Sequence, residues 1–269
     1  MTRTIHTTRT ALLAATFAAA LLGLPQASFA APRGSGAGVQ APQDSPAASD
    51  AAARLNKKQF QNVRVTVDSN GIATLSGTVD LYEYKLDADK RAHKAKGVTA
   101  VRNDIQVAGP TVPDSELQAK LGEKLEYDQV GYGNVFNAIT IGVQNGVVTL
   151  GGHALSYPAR DSALALVSTH PGVKDVVDDI LVDPPSPMDD GIRLAEYRAI
   201  YGYPSLNKYA MDPGKTIRIS VQNGHVELYG TVDTQADKET AFMRANGVPG
   251  VFSVKNYLEV ANQPTEMQK

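Results

Sequence analysis

The sequence predicts an α+β protein built from three tandem αββαβ modules, each a small mixed three-stranded sheet with two helices. Three observations carry that prediction: a hairpin pattern that occurs three times, a fixed glycine spacing behind it, and small apolar residues at helical period in between. The stretches VTVDSNGIATLSGTV (65–79), IGVQNGVVTLGGHA (141–154) and ISVQNGHVELYGTV (219–232) each alternate apolar and polar residues on both sides of an Asn-Gly pair. Such a pair between two alternating runs predicts a tight hairpin, because both residues tolerate positive φ. The turn glycines Gly71, Gly146 and Gly224 are each followed six residues later by Gly77, Gly152 and Gly230. A further 20 residues bring Gly97, Gly172 and Gly250. Two spacings repeated in three places mark an internal repeat. The first copy has one extra residue before its turn, Asp68-Ser69-Asn70 against Gln144-Asn145, which predicts a longer or bulged turn there.

Behind the last glycine of each copy comes a closing strand: GVTAVRNDIQV, GVKDVVDDILV and GVFSVKNYLEV. Ahead of it lies a helix with its inner face at Ala88, Ala92 and Ala95, at Ala163 and Val167, and at Ala241, Ala245 and Val248. A second helix precedes each hairpin. SELQAKLGEKLEYD carries Leu117, Leu121 and Leu125 on one face with Asp114 as its cap, and DDGIRLAEYRAIYG carries Ile192, Ala195 and Ile200. SDAAARLNKKQF is the weakest of the three. A helix between the second and third strands implies a right-handed parallel crossover. Both helices then lie on one face of the sheet.

Residues 1–30 have the pattern of a signal peptide: Arg3 and Arg9 without an acid, an apolar run ALLAATFAAALLGL, then small residues at Ser28 and Ala30. The run is too short for a membrane span, so the chain is expected not to be transmembrane after cleavage. No Arg-Arg pair precedes it, which favours the general export pathway and a periplasmic location. Residues 31–48 read as a flexible tether. The domain limits are then 49–108, 112–183 and 188–261, with a tail over 262–269.

The pattern apolar-x-apolar-x-Asn-Gly-x-apolar-Thr-Leu-x-Gly, followed by Gly-Val-x-x-Val-x-Asn/Asp-x-apolar-x-Val, resembles the BON domain. The first copy carries it most fully, from Asn70-Gly71 to Gly77-Thr78-Val79 and from Gly97-Val98 to Asn103. The second has Gly151 and Asp178 where the pattern has Ser and Asn, and the third has Tyr229 in the serine place. The resemblance implies an αββαβ fold and a role in the bacterial envelope. That role is binding phospholipid or membrane surfaces, or supporting envelope integrity under stress; protein interaction or scaffolding is the alternative. The glycines of the pattern are structural and transfer no catalytic site.

The chain has 26 Lys+Arg against 28 Asp+Glu and no cysteine, which argues against a dedicated nucleic-acid binder and excludes thiolate chemistry, disulfides and a lipid anchor on a cysteine after the cleavage site. Its histidines lack metal-binding spacing, and no phosphate loop or nucleophile elbow is present, so neither enzyme, metal nor cofactor is expected. Charge is uneven: 50–108 holds 10 basic and 7 acidic residues, whereas 112–183 holds 4 and 10. Lys85, Lys90, Arg91 and Lys94 lie in the second helix of the first copy, with Lys90, Arg91 and Lys94 expected to face solvent opposite the alanines. They are the candidate contact to anionic lipid. Tyr127, Tyr132, Phe136, Tyr201, Tyr203 and Tyr209 precede the later hairpins and are the candidate aromatic interface, to envelope proteins or to a second copy. From these tyrosines the second and third copies are expected to pack together, burying Tyr132 and Tyr203, while the first stays more independent.

Overall fold

The computed structural model describes residues 45–127 and 134–261. The leader, nearly all of the tether, Tyr132 and the tail lie outside the described residues. Module 1 consists of α1 (Pro46–Arg54), β1 (Val63–Val67), β2 (Ile72–Val79), α2 (Tyr82–His93), β3 (Ala100–Asn103) and β4 (Gln106–Val107). Module 2 follows with α3 (Asp114–Tyr127), β5 (Ala138–Gln144), β6 (Val147–Ala154), α4 (Tyr157–Ser168), β7 (Asp175–Asp178) and β8 (Leu181–Val182). Module 3 has α5 (Pro187–Tyr201), β9 (Arg218–Gln222), β10 (His225–Tyr229), β11 (Thr231–Val232), α6 (Gln235–Asn246), β12 (Ser253–Asn256) and β13 (Glu259–Val260).

In every module the hairpin is antiparallel and the closing strand returns parallel to its second strand, which is therefore central. The closing strand is in two pieces that pair with successive parts of the central one. A side chain at the break explains this. The Asn103 carboxamide accepts from the Ile105 amide at 3.3 Å and donates to the Lys85 carbonyl of α2 at 2.9 Å. The kink turns Ile105 fully into the core. Asn256 repeats both bonds, to the Leu258 amide and the Lys238 carbonyl. Asp178 accepts from the Ile180 amide in the same way but has no proton to donate. Its other oxygen takes the Arg160 guanidinium instead. Arg160 stands eight residues after Gly152, as Lys85 and Lys238 stand after Gly77 and Gly230. The same helix residue thus anchors the break in all three modules, by its carbonyl in two and by its side chain in one.

Two of the hairpins turn on a pair with positive φ, 54° and 77° at Asn145-Gly146 and 50° and 75° at Asn223-Gly224, the type I′ geometry. Their adjacent amides both donate to one carboxylate: Asp114 receives Asn145 at 2.6 Å and Gly146 at 2.9 Å. Asp189 receives Asn223 at 3.0 Å and Gly224 at 2.9 Å. Asp114 therefore caps the hairpin tip beside its helix and not the helix itself, a correction to the sequence reading. Module 1 solves the same problem locally. The extra turn residue lets Asp68 accept from Asn70 and Ile72 at 2.9 and 2.8 Å. Replacing Asp114 with alanine strands two amides and is expected to cost roughly 1–3 kcal/mol. A thermal melt of the chain should show a lowered transition, and an unmoved one would show that the tie contributes nothing.

The helices pack through small residues, as the period required: Ala88 and Ala92, Ala163 and Val167, and Ala241 and Ala245 are all fully buried. Leu117, Leu121 and Leu125 line the inner face of α3. In α5 the inner residues are Ile192, Glu196 and Ile200, with Ala195 only half-buried. A carboxyl thus occupies the place that an apolar reading of the helix assigned to its alanine neighbour.

The three modules belong to one compact unit, and module 1 does not stand apart as the sequence suggested. Tyr82 and Leu86 of α2 pack into the apolar cluster of module 2. Burial, aided by the nearby Asp175 carboxylate, pushes the Tyr82 hydroxyl up to about 12.

Candidate functional site

The positive charge of module 1 gathers on its helical side. α2 turns Ala88 and Ala92 to the sheet, which leaves Lys90 and Lys94 exposed. Neither has an ion-pair partner among the described residues. Arg91 differs from the expectation that it faces solvent. Its guanidinium pairs with Asp87 at 2.8 Å and lies 5.9 Å from the centroid of the Phe60 ring, so it is half-buried and anchored. Lys85 is half-buried as well, and its carbonyl holds Asn103. The Phe60 contact brings up a short 3-10 turn, Lys58–Phe60, whose first residue Lys58 and preceding Lys57 are exposed. The exposed cations on this side therefore include Lys57, Lys58, Lys90, Lys94 and Lys96. The first two were missed in sequence because they lie far from α2 along the chain; the pattern KKQF ahead of the first hairpin was the available signal.

The aromatic candidates separate into three kinds. Tyr127 and Phe136 do join modules 2 and 3. The Tyr127 hydroxyl donates to Asp212 at 2.9 Å. Phe136, with Val135, packs into the core of module 3 although it belongs to module 2 by sequence. Tyr201 and Tyr209 are not surface residues: both are buried inside module 3, where Tyr201 donates to the Ile217 carbonyl at 2.6 Å and Tyr209 to Asp237 at 2.8 Å. A buried tyrosine needs a partner for its hydroxyl, and each has one. Tyr203 is 39% exposed beneath the Arg244 guanidinium, against the expectation of burial.

A polar network adds to the junction of modules 2 and 3. Asp183 is bound by Arg193 at 3.0 Å, by Gln222 at 2.7 Å and by the His153 ring at 3.1 Å. The Asp183 carboxylate raises the affinity of His153 for its proton. This cluster resembles a catalytic dyad only in composition. Arg193 and Gln222 occupy the carboxylate, and Asp183 is itself closed off from solvent. Among the described residues no group of three or more His, Cys, Asp or Glu could hold a metal ion, and no helix is long and apolar enough to cross a membrane.

Three tandem αββαβ modules that share one hairpin pattern define a class of repeat proteins, and comparison with known proteins names it. The model of the BON domain matches residues 43–109, 113–184 and 205–262. The chain belongs to the BON domain family. It is similar to Osmotically-inducible protein Y of Escherichia coli (strain K12), 27% identical over 171 residues, spanning 59% of this chain and 78% of that protein. Among solved structures it aligns with the C-terminal domain of CdsD, a structural protein of the Type III secretion system of Chlamydia trachomatis, at 15% identity and a TM-score of 0.22, covering 80% and 96% of the two chains. The periplasmic domain of PrgH from S. typhimurium aligns at 10% identity and a TM-score of 0.17, covering 78% and 97%. Superpositions this loose bear on neither fold nor function.

Proposed function

We propose that the protein is a periplasmic, non-catalytic binding protein whose helical side of module 1 docks on anionic phospholipid surfaces of the cell envelope. The observation that carries this reading is the group of exposed cations, in which Lys90 and Lys94 have no ion-pair partner among the described residues. Near an anionic surface each such charge contributes about 1 kcal/mol. The signal-peptide pattern and membership of the BON family support the location and the envelope role.

Sedimentation with phosphatidylcholine vesicles, with and without phosphatidylglycerol, tests it. Binding should require phosphatidylglycerol and fall away by about 0.5 M salt. Lys90→Glu with Lys94→Glu should weaken it by at least thirtyfold, the equivalent of about 2 kcal/mol. Arg91→Glu is the wrong probe, because it would also break the contact with Phe60. Equal binding to vesicles lacking phosphatidylglycerol, or by the double variant, would sink the proposal.

A further inference from the structure

Modules 2 and 3 treat their first strand differently. Ile139, Ile141 and Val143 precede the turn glycine Gly146 at the same offsets as Ile217, Ile219 and Val221 precede Gly224. The three in module 3 are completely buried, whereas the three in module 2 are only half-buried. The cause is a cover. The segment Asn134–Phe136 lies along β9, with Val135 and Phe136 in the module 3 core and the Asn134 carbonyl accepting from Arg218 at 2.8 Å. Nothing among the described residues does this for β5. The matching segment of module 1, Lys58–Phe60, keeps its phenylalanine in its own core. β5 is the outer strand of its sheet, and its sequence AITIGVQ has neither charge nor proline, the usual guards of an exposed edge.

A cleft of about 260 Å³ runs beside that strand. Its floor is Ala138–Ile141, one wall is Gly122 and Glu126 of α3, and Arg218 and Tyr257 of module 3 face it. A shallower groove continues along α3 past Ala119 and Glu123. A side chain added at Gly122 or Gly142 would meet nothing within 4 Å.

We propose that this groove takes an extended peptide bearing lysine or arginine, which adds as a further strand to the edge of β5 that the described residues leave unpaired. Strand addition supplies main-chain hydrogen bonds, and alternate apolar side chains would complete the cover over Ile139, Ile141 and Val143. A single strand fits because residues of module 3, among them Pro213, Arg218 and Tyr257, line the other side of the cleft. A basic peptide fits because the carboxylates Glu123, Glu126 and Glu259 outnumber the lone guanidinium of Arg218. Burial raises the pKa of Glu126, a cost that an incoming cation would relieve.

The test is hydrogen exchange on the whole chain with a short synthetic peptide alternating valine and lysine, beside a twin with glutamate for lysine. The lysine peptide should protect the amides of 139–143 and bind at least tenfold more tightly than its twin. Gly122→Leu, which fills the groove, should abolish protection while leaving the melting temperature in place. Glu123→Lys, at an exposed position, should weaken binding severalfold and serves if the leucine variant misfolds. No protection at β5, equal binding of the twin, or protection that survives both variants would overturn the proposal. So would a chain that dimerises through β5 without peptide, which would assign the edge to a second copy.

Discussion

Replacing Glu196 with leucine is expected to stabilise module 3 by roughly 3 kcal/mol at pH 7 and to remove much of its dependence on pH. Glu196 is completely buried and neither carboxyl oxygen has a partner. Burial alone pushes its pKa up from 4.5 to about 8. The carboxyl is therefore protonated in the folded chain at neutral pH and ionised in the unfolded one. Its contribution is fully present below about pH 4.5 and is lost as the pH rises through 8, at about 1.4 kcal/mol per pH unit between those limits. The corresponding residue of module 2 is Leu121, four after Leu117, as Glu196 is four after Ile192. The equivalence is structural too, since Leu117 and Ile192 lie against the matching glycines Gly172 and Gly250. Leucine is thus a side chain that this site already accepts elsewhere in the same protein. Urea unfolding of both proteins at pH 5 and pH 8 checks it. The stability gap should widen at the higher pH; a gap that stays constant would mean Glu196 is ionised in the fold.

Most of the fold was legible because it rests on local rules repeated three times. Turn glycines and alanines at helical period each report on the residues next to them, whereas the break in the closing strand at 103, 178 and 256 falls inside a run that reads as continuous strand. What was not legible depends on contacts between distant segments. Arg91 looked like a solvated cation until Phe60 came to lie beneath it. Tyr201 and Tyr209 were assigned to an aromatic interface because a tyrosine joins an apolar body to a polar tip, yet each finds its partner within module 3. Glu196 was passed over because periodicity assigns inner positions to apolar residues, and only the neighbouring elements show that the carboxyl faces inward. The candidate basic face was half legible: α2 supplied Lys90 and Lys94, and folding supplied Lys57 and Lys58.

The other large effect is expected at Gly152. A Cβ there would stand 2.0 Å from the Ala138 carbonyl oxygen, at a φ of 80°. Backbone strain of about 1–3 kcal/mol and a collision that no rotamer relieves act together. Gly152→Ala should therefore cost roughly 3–5 kcal/mol and separate the start of β5 from β6. Gly142, in the same sheet, has ordinary φ and open space around its Cβ. Gly142→Ala should leave stability within about 0.5 kcal/mol of the parent. Thermal melts of the pair give the comparison, and similar losses at both positions would refute the steric account.

Phe136 is encoded ahead of the second hairpin yet closes the third core, so these two repeats cannot be exchanged freely by recombination. A crossover at Pro184-Pro185 would deliver a third repeat stripped of its cover over Ile217 and Ile219, and a second repeat with an aromatic side chain that has lost its socket. A crossover just ahead of Asn134 carries cover and strand together. The heritable segment thus begins inside one repeat and ends with the next, out of phase with the αββαβ period. Gene duplication can lengthen such an array only by copying that offset segment, which fixes the order in which its members occur.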